Sequence, residues 1–265
     1  MTERSGRLSL LKILPGATPD DAARLRAQAT IVSRLRDRGY PAPPIFAVGH
    51  VPGLAFWLQE RLPGCPMEDT PAVIPRLLPE LLRLNGAQAG LGTGPRTWPD
   101  LLITTLTMGG DGYCLHETLA ARPGTRDLLA AVRRIGEQSG PAIPPGDDFV
   151  HYDFTLANVL TDGTAVTAVI DVNPPLLAGD RAFDLATLLY YLYDRDDLRA
   201  VLRARLLAAA GPRATAAYLA HMVLRQVEWS LRHHPDAPAT RRHLDLGRAV
   251  IADISPAGEY RGPAR

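Results

Sequence analysis

An α+β fold, β-rich at its start and mostly helical afterwards, is what this 265-residue sequence predicts. Three observations carry that reading. Up to residue 62, short apolar runs with β-branched and aromatic residues are cut by Pro and Gly. Beyond residue 63, leucine and alanine recur at helical spacing. Within that helical part, two β-rich runs between residues 159 and 170 bracket an Asp-Gly turn.

The elements follow in order. Leu8 to Leu14, bounded by Gly6 and by Pro15-Gly16, reads as a buried strand carrying Lys12. A helix from about Asp20 to Asp37 places Leu25, Ala29, Ile31, Val32 and Leu35 at helical intervals. Ile45 to Gly49 and Leu54 to Leu62 read as two more strands. Pro63-Gly64-Cys65-Pro66 then divides the chain into two domains, residues 1–62 and 63–265. Helices are predicted over Val73 to Leu91 (despite Pro79), Trp98 to Met108 and Thr125 to Gln138. After the break Pro141 to Pro145 come Phe183 to Tyr193, Leu198 to Ala210 and Thr215 to His233. The Gly/Pro/Arg-rich tail after Pro256 is expected to be mobile.

Composition excludes several function classes. A formal net charge of +1, with the basic residues dispersed among 28 acids, gives no field that would draw nucleic acid or an acidic membrane. Cys65 and Cys114 lack metal or redox spacing and fit a reducing compartment, so a cytoplasmic location is expected. The apolar start, interrupted by Lys12, is too short for a signal or a spanning helix. Nothing in the chain fixes an oligomeric state.

Residues 151–184 carry the chemistry. His151-Tyr152-Asp153, with Asn158 five positions on, forms an H-x-D-x-x-x-x-N loop, and a strand ends at Asp171. Val159-Leu160 and Ala165 to Ile170 flank the Asp162-Gly163 turn, so a hairpin would bring Asn158 and Asp171 together at its open end. One amide oxygen and one carboxylate, completed by phosphate oxygens, suit Mg²⁺. Asp153 would face the same opening and accept a proton from a substrate hydroxyl. Two plainer readings compete: Asp and Asn are common in turns, and an H-x-D pair can ligate a hydrolytic metal. The full set at these spacings weighs against both.

At these residues the chain resembles the aminoglycoside phosphotransferase family, small-molecule kinases of the protein-kinase-like fold. Gly179-Asp180-Arg181-Ala182-Phe183-Asp184-Leu185-Ala186 matches the last part of that family's pattern. The resemblance implies a bilobal fold with a reduced N-lobe and a mostly helical C-lobe. It implies Asp153 as catalytic base, Asn158 and Asp171 as Mg²⁺ ligands, and ATP or GTP as phosphoryl donor. His151 and Asp184 would support the catalytic loop. Tyr152 stands where the family most often has Gly, and Val172-Asn173 where an aromatic is frequent.

Of 29 Lys plus Arg, 28 are Arg, so Lys12 is the single lysine. A compact ammonium on a strand suits nucleotide phosphates, and a solvated edge lysine is the alternative. By the same resemblance Gln28 falls where a Glu would pair with Lys12, and Glu60, Arg61 and Leu62 would meet the edge of the base. Ser5-Gly6-Arg7 resembles the turn before the lysine strand, and the family's two earlier strands and phosphate-covering loop are not seen upstream of it, so the expectation is a chain either shortened at its start or lacking that cover.

The resemblance implies an acceptor between the catalytic loop and the late helices, with Asp194, Asp197 and Glu228 as candidates to meet positive charge and Tyr190 and Trp229 as walls. The competing assignments are an ion pair of Glu228 with Arg225 or Arg232 and a helix N-cap for the Asp194 to Asp197 cluster. The function expected is phosphorylation of a hydroxyl on a small, cationic molecule such as an aminoglycoside or peptide antibiotic. The alternative is a kinase-like protein that binds or sequesters a small ligand without efficient catalysis.

Overall fold

A computed structural model describes residues 8–172 and 178–255. The expectations for Ser5-Gly6-Arg7, for Asn173 and for the tail after Pro256 lie outside the described residues. The chain forms two compact units, one of residues 1–95 and 146–184, the other of residues 96–145 and 185–265. Segments 63–95 and 146–184 fall in the same unit as the N-terminal strands.

In the first unit, β1 (Ser9–Ala17) leads into α1 (Pro19–Asp37), followed by β2 (Ile45–Val51) and β3 (Gly53–Glu60). The three strands form an antiparallel sheet in the order β1-β3-β2, with Lys12 opposite Trp57 and Leu10 opposite Gln59. Thr18 starts α1 through a capping box. Its hydroxyl accepts from Asp21 N at 3.3 Å, and its own N–H donates to Asp21 Oδ2 at 2.8 Å. Two end groups of the helix are satisfied at once. Those bonds hold the Asp21 carboxyl below its usual range.

Two expectations for β1 are corrected. The strand continues through Pro15 to Ala17, with an irregularity between them, because proline is tolerated where no ladder bond is required of it. Nor is the strand buried: Leu10, Leu11, Ile13 and Leu14 are exposed. Among the described residues β1 pairs only with β3, so it is the edge of its sheet.

A second sheet joins β4 (Cys65–Pro66), β5 (Val159–Thr161) and β6 (Val166–Val169) in that order. Between β4 and β5 in sequence, α2 (Val73–Ala87) buries Ile74, Leu77, Leu78, Leu81 and Leu84. An interior proline costs a helix about 3 kcal/mol. Each of those side chains returns about 1.5–3 kcal/mol on burial, so the apolar stripe outweighs Pro79.

The second unit is helical: α3 (Trp98–Met108), α4 (His116–Ala120), α5 (Arg126–Ser139), α6 (Ala182–Tyr191, entering from the first unit), α7 (Asp196–His233) and α8 (Pro238–Ile254). Gly211, at φ 75°, interrupts α7 before Pro212, so α7 is two helices end to end, close to the two spans predicted. The sequence reading missed α8, although Pro238 at its start and the buried Leu246, Val250 and Ile251 carry the pattern. No helix among the described residues is long and apolar enough to cross a membrane.

One backbone crossing positions the catalytic segment. Asp148 and Gly179 exchange bonds, N to O at 2.8 Å and 3.0 Å. Gly146, at φ +66°, lies so close that a Cβ there would sit 1.9 Å from the Gly179 oxygen. Gly146→Ala is therefore expected to destabilise the fold by on the order of 2–4 kcal/mol, through a left-handed residue and a backbone clash together. Denaturant unfolding would check this, and a midpoint equal to wild type would show that the crossing relaxes freely.

Candidate active site

The site grows from the β5–β6 hairpin. At its turn, Asp162 Oδ1 accepts from Thr164 N at 2.7 Å and Ala165 N at 2.9 Å, and Gly163 takes φ +89°. The Thr164 hydroxyl and these N–H groups hold the Asp162 carboxyl down at about 2. At the open end, Val159 faces Val169 and Ile170 N donates to Asn158 O at 2.8 Å. Asn158 is thereby fixed beside Ile170, and Asp171 follows directly, turned out by φ 56°.

Asn158 Nδ2 donates to the Asp153 carbonyl at 2.9 Å and to Asp153 Oδ2 at 2.8 Å. With both amide hydrogens engaged, the amide oxygen is the Asn158 group open to a cation. His151 closes the same loop. Its Nε2 lies 3.0 Å from the Ile170 carbonyl, an acceptor only, and its Nδ1 accepts from Asp153 N at 3.3 Å. This pattern assigns the neutral tautomer with the proton on Nε2. Both ring nitrogens are occupied, which excludes His151 as a metal ligand and with it the hydrolytic-metal reading.

Asp184 lies beneath the loop, completely buried. Its Oδ2 accepts from His151 N at 2.8 Å and Gln88 Nε2 at 2.7 Å, and its Oδ1 from Tyr152 N at 3.0 Å. Burial pushes its carboxyl up to about 7, the three N–H donors restrain the rise, and the Asp153 charge adds to it. Tyr152 sits at φ 71°. That left-handed backbone explains why glycine is usual there in the family it resembles. The Tyr152 ring stacks on Phe183 with centroids 5.2 Å apart. Such stacking is worth about 0.5–1.5 kcal/mol and offsets part of the left-handed strain.

Lys12 forms an ion pair with Asp171, and its ammonium stands 5.4 Å from the centre of the Trp57 ring. Gln28 donates its amide to the carbonyl of Val172. A glutamate could not make that bond, since a carboxylate has no proton to give. A cleft of about 640 Å³ opens beside these groups. Lys12 and Asp171 make its charged end, while Leu10, Leu62, Leu160 and Ile170 line it with apolar surface, and Glu60 and Arg61 also face it. Asp153 and Asn158 do not line the cleft and are joined to it through Ile170.

Asn158 and Asp171 offer one amide and one carboxylate oxygen, a hard donor set that fits Mg²⁺ when phosphate oxygens complete it. Among the described residues no group of three His, Cys, Asp or Glu side chains gathers as a metal site.

The acceptor candidates all lie in the second unit. Glu228 is buried and paired with Arg232 at 2.8 Å, and Thr118 donates to it at 3.3 Å. Tyr190 is fully buried and bonded to His243 at 3.2 Å, so it is a core residue and not an open wall. Asp194 pairs with Arg242 at 3.0 Å and Asp197 with Arg195 at 3.5 Å. The N-cap assignment for this cluster is corrected: Arg195 occupies the cap and makes no side-chain capping bond, while Asp196 and Asp197 fall in the first turn. Trp229 is half exposed and lies against His233 and His234.

Sequence reasoning missed the residues that hold the loop from below. Asn85 Nδ2 donates to Gln88 Oε1 at 2.7 Å and to the Arg181 carbonyl at 2.8 Å, and Gln88 passes the chain of bonds to Asp184. The available signal was two amide side chains three positions apart at the end of an apolar helix. Asp148, paired with Arg181 at 2.9 Å, was overlooked as well.

Comparison with known proteins adds the family. A thermostable mutant of aminoglycoside phosphotransferase APH(4)-Ia, solved as a ternary complex with ADP and hygromycin B, is similar at TM-score 0.71 and 18% identity, covering 96% of this chain and 90% of that one. Spectinomycin phosphotransferase APH(9)-Ia with ADP and spectinomycin is similar at TM-score 0.55 and 10% identity, covering 97% and 88%. Aminoglycoside phosphotransferase APH(3'')-Id from Streptomyces rimosus, with ADP and streptomycin, gives 0.52 and 19%, covering 83% and 88%. At such identities these likenesses speak for the fold. No curated protein matches by sequence. Residues 2–221, most of the chain, match the model of the phosphotransferase enzyme family, and the chain therefore belongs to that family of nucleotide-dependent phosphotransferases.

Proposed function

We propose that this chain transfers the terminal phosphoryl group of ATP or GTP to a hydroxyl of a small, cationic acceptor of the aminoglycoside or peptide-antibiotic kind. The observation that carries this reading is the bonded series Asp153–Asn158–Ile170 ending at Asp171, with the single lysine on Asp171. The cationic acceptor class rests on the antibiotics bound by the similar solved proteins.

In this reading Asp153 orients the acceptor hydroxyl and takes its proton. Asn158 Oδ1 and the Asp171 carboxylate would hold Mg²⁺, which when bound would supply positive charge to neutralise the phosphoryl group. Lys12 exchanges its carboxylate partner for nucleotide phosphate. His151 and Asp184 touch no reacting atom and keep the loop in shape.

Asp153→Asn is expected to lower kcat by a factor on the order of 10²–10⁴ while leaving Mg-nucleotide affinity within a few-fold of wild type. Steady-state assay with a panel of hydroxylated cationic antibiotics, read as gain of phosphate mass, tests both points. Unchanged turnover would remove Asp153 from the chemistry. Ligand binding by calorimetry with no nucleotide dependence and no phosphate gain would favour the sequestering protein instead. Lys12→Met should weaken nucleotide binding roughly tenfold or more, and equal affinity would place the nucleotide elsewhere.

A pH dependence follows from Asp184. As an ionised acceptor it serves three N–H donors; protonation would turn one oxygen into a donor facing them. Turnover is expected to fall as pH drops through about 7. Gln88→Leu removes a donor that restrains the rise, so the acid limb of kcat should move to higher pH, and a limb that stays in place would count against this role. Stability runs the opposite way. A carboxyl whose folded value is raised contributes stability that is present below the ordinary carboxylate range and lost as pH climbs through about 7.

A further inference from the structure

We infer that Gln59 makes this cleft select a 6-oxopurine nucleotide, guanine before adenine, as phosphoryl donor. The inference rests on the nucleotide reading above and adds the identity of the base. Leu8, Leu10 and Lys12 alternate along β1 with their side chains on the cleft, and Gln59 on β3 is the register partner of Leu10. Gln59 is itself buried at the back of that surface.

The direction of its amide is fixed by a neighbour. Trp57, two residues earlier and on the same face of β3, donates its indole N–H to Gln59 Oε1 at 2.9 Å. An indole nitrogen only donates, so the group facing it is the amide oxygen and the NH₂ must point away. That NH₂ has no bonded partner among the described residues. The cleft is therefore presented with a donor, oriented by a bond the base does not take part in.

The adjoining backbone supplies the matching acceptor. Glu60 N donates to the Pro44 carbonyl at 3.0 Å and Arg61 N to the Leu8 carbonyl at 2.9 Å. Pro44 has no N–H with which to answer the Glu60 carbonyl, so the ladder leaves that oxygen available. In chain order the cleft thus offers a donor at Gln59 and an acceptor at Glu60. Guanine presents the complement on adjacent atoms, the O6 acceptor and the N1–H donor. Adenine presents the reverse, a 6-amino donor and an N1 acceptor, and would set two donors against each other at Gln59. A buried donor left without a partner costs roughly a tenfold loss of affinity or more.

Isothermal titration of the full chain with GTP, ITP and ATP, each with Mg²⁺, tests the idea. GTP and ITP should both bind at least about tenfold more tightly than ATP, because inosine keeps the 6-oxo group and lacks the 2-amino group. Gln59→Glu, which replaces the donor by an acceptor at the same size, should reverse the order toward ATP. Trp57→Phe keeps an aromatic face under Lys12 and removes the indole N–H, so the amide can turn over and the preference should collapse to within a few-fold. ATP binding as tightly as GTP to the wild-type chain, or a preference unmoved in Gln59→Glu, would overturn the inference and leave the phosphotransferase reading standing. Failure of all three nucleotides to bind would overturn the nucleotide reading of the cleft and this inference with it.

Discussion

The Asp184 carboxylate, sealed from water and accepting three N–H groups, is the contact on which the catalytic loop depends. Removing a carboxylate from water costs several kcal/mol. Hydrogen bonds to a charged group return about 1.5–3 kcal/mol each, so the three offset part of that cost and leave the carboxyl raised to about 7. Two of the three donors are consecutive backbone amides, at His151 and Tyr152. Directly after this pair the chain turns, with Tyr152 at φ 71°. The same turn delivers Asp153 N to the His151 ring and Asp153 Oδ2 to Asn158. The buried carboxyl thus anchors the chain just before a strained residue, and that residue leads into the proposed base.

Primary amides recur at the joints of this unit because they donate and accept in fixed directions. Asn158 spends its NH₂ on Asp153, which leaves the oxygen as its other polar group. Gln88 receives from Asn85 on its oxygen and donates from its nitrogen to Asp184, passing polarity through the interior without a net charge. Gln28 donates to the Val172 carbonyl, just beyond Asp171. The expected partner of Lys12 at that position was an acid, and the amide gives a different division of labour: Gln28 holds the main chain after Asp171, and Asp171 itself holds Lys12 until a ligand competes for it. An acid at residue 28 would put a second negative charge near the Lys12–Asp171 pair and leave the Val172 carbonyl without this donor.

The parts of this structure that were readable in the sequence are those governed by local rules. The helical spacing of α1, the Asp162-Gly163 turn and the leucine stripe of α2 each follow from residues a few positions apart. The hairpin follows from them too, and with it the backbone bond from Ile170 to Asn158, one residue before Asp171. What stayed hidden depends on partners far along the chain. Asp184 is marked by its motif, but its partner Gln88 lies 96 positions away, just past the end of α2, and nothing local points to it. The exposure of β1 was unreadable for a related reason: an apolar run looks the same whether it has one neighbouring strand or two, so Leu10 and Ile13 suggested a burial they do not have. In the second unit, Glu228 was expected to meet positive charge on the acceptor and Tyr190 to wall it, and each is satisfied internally, by Arg232 and by His243.

The Lys12–Asp171 ion pair bears on how such a cleft can stay ordered before a nucleotide arrives. A lone ammonium and a lone carboxylate facing a partly desolvated cavity would each be unfavourable. Paired, they neutralise one another, and the cationic head rests near the Trp57 ring, which attracts positive charge through its face. A nucleotide with its divalent ion carries the complementary set, phosphate for the ammonium and cation for the carboxylate. In the proposed reaction, binding then exchanges one neutral pair for two others and leaves no bare charge at any stage. The exchange needs a short reach from each partner, and the backbone provides it: Lys12 is held in register against Trp57, and Asp171 is fixed by the Ile170–Asn158 bond one residue before it.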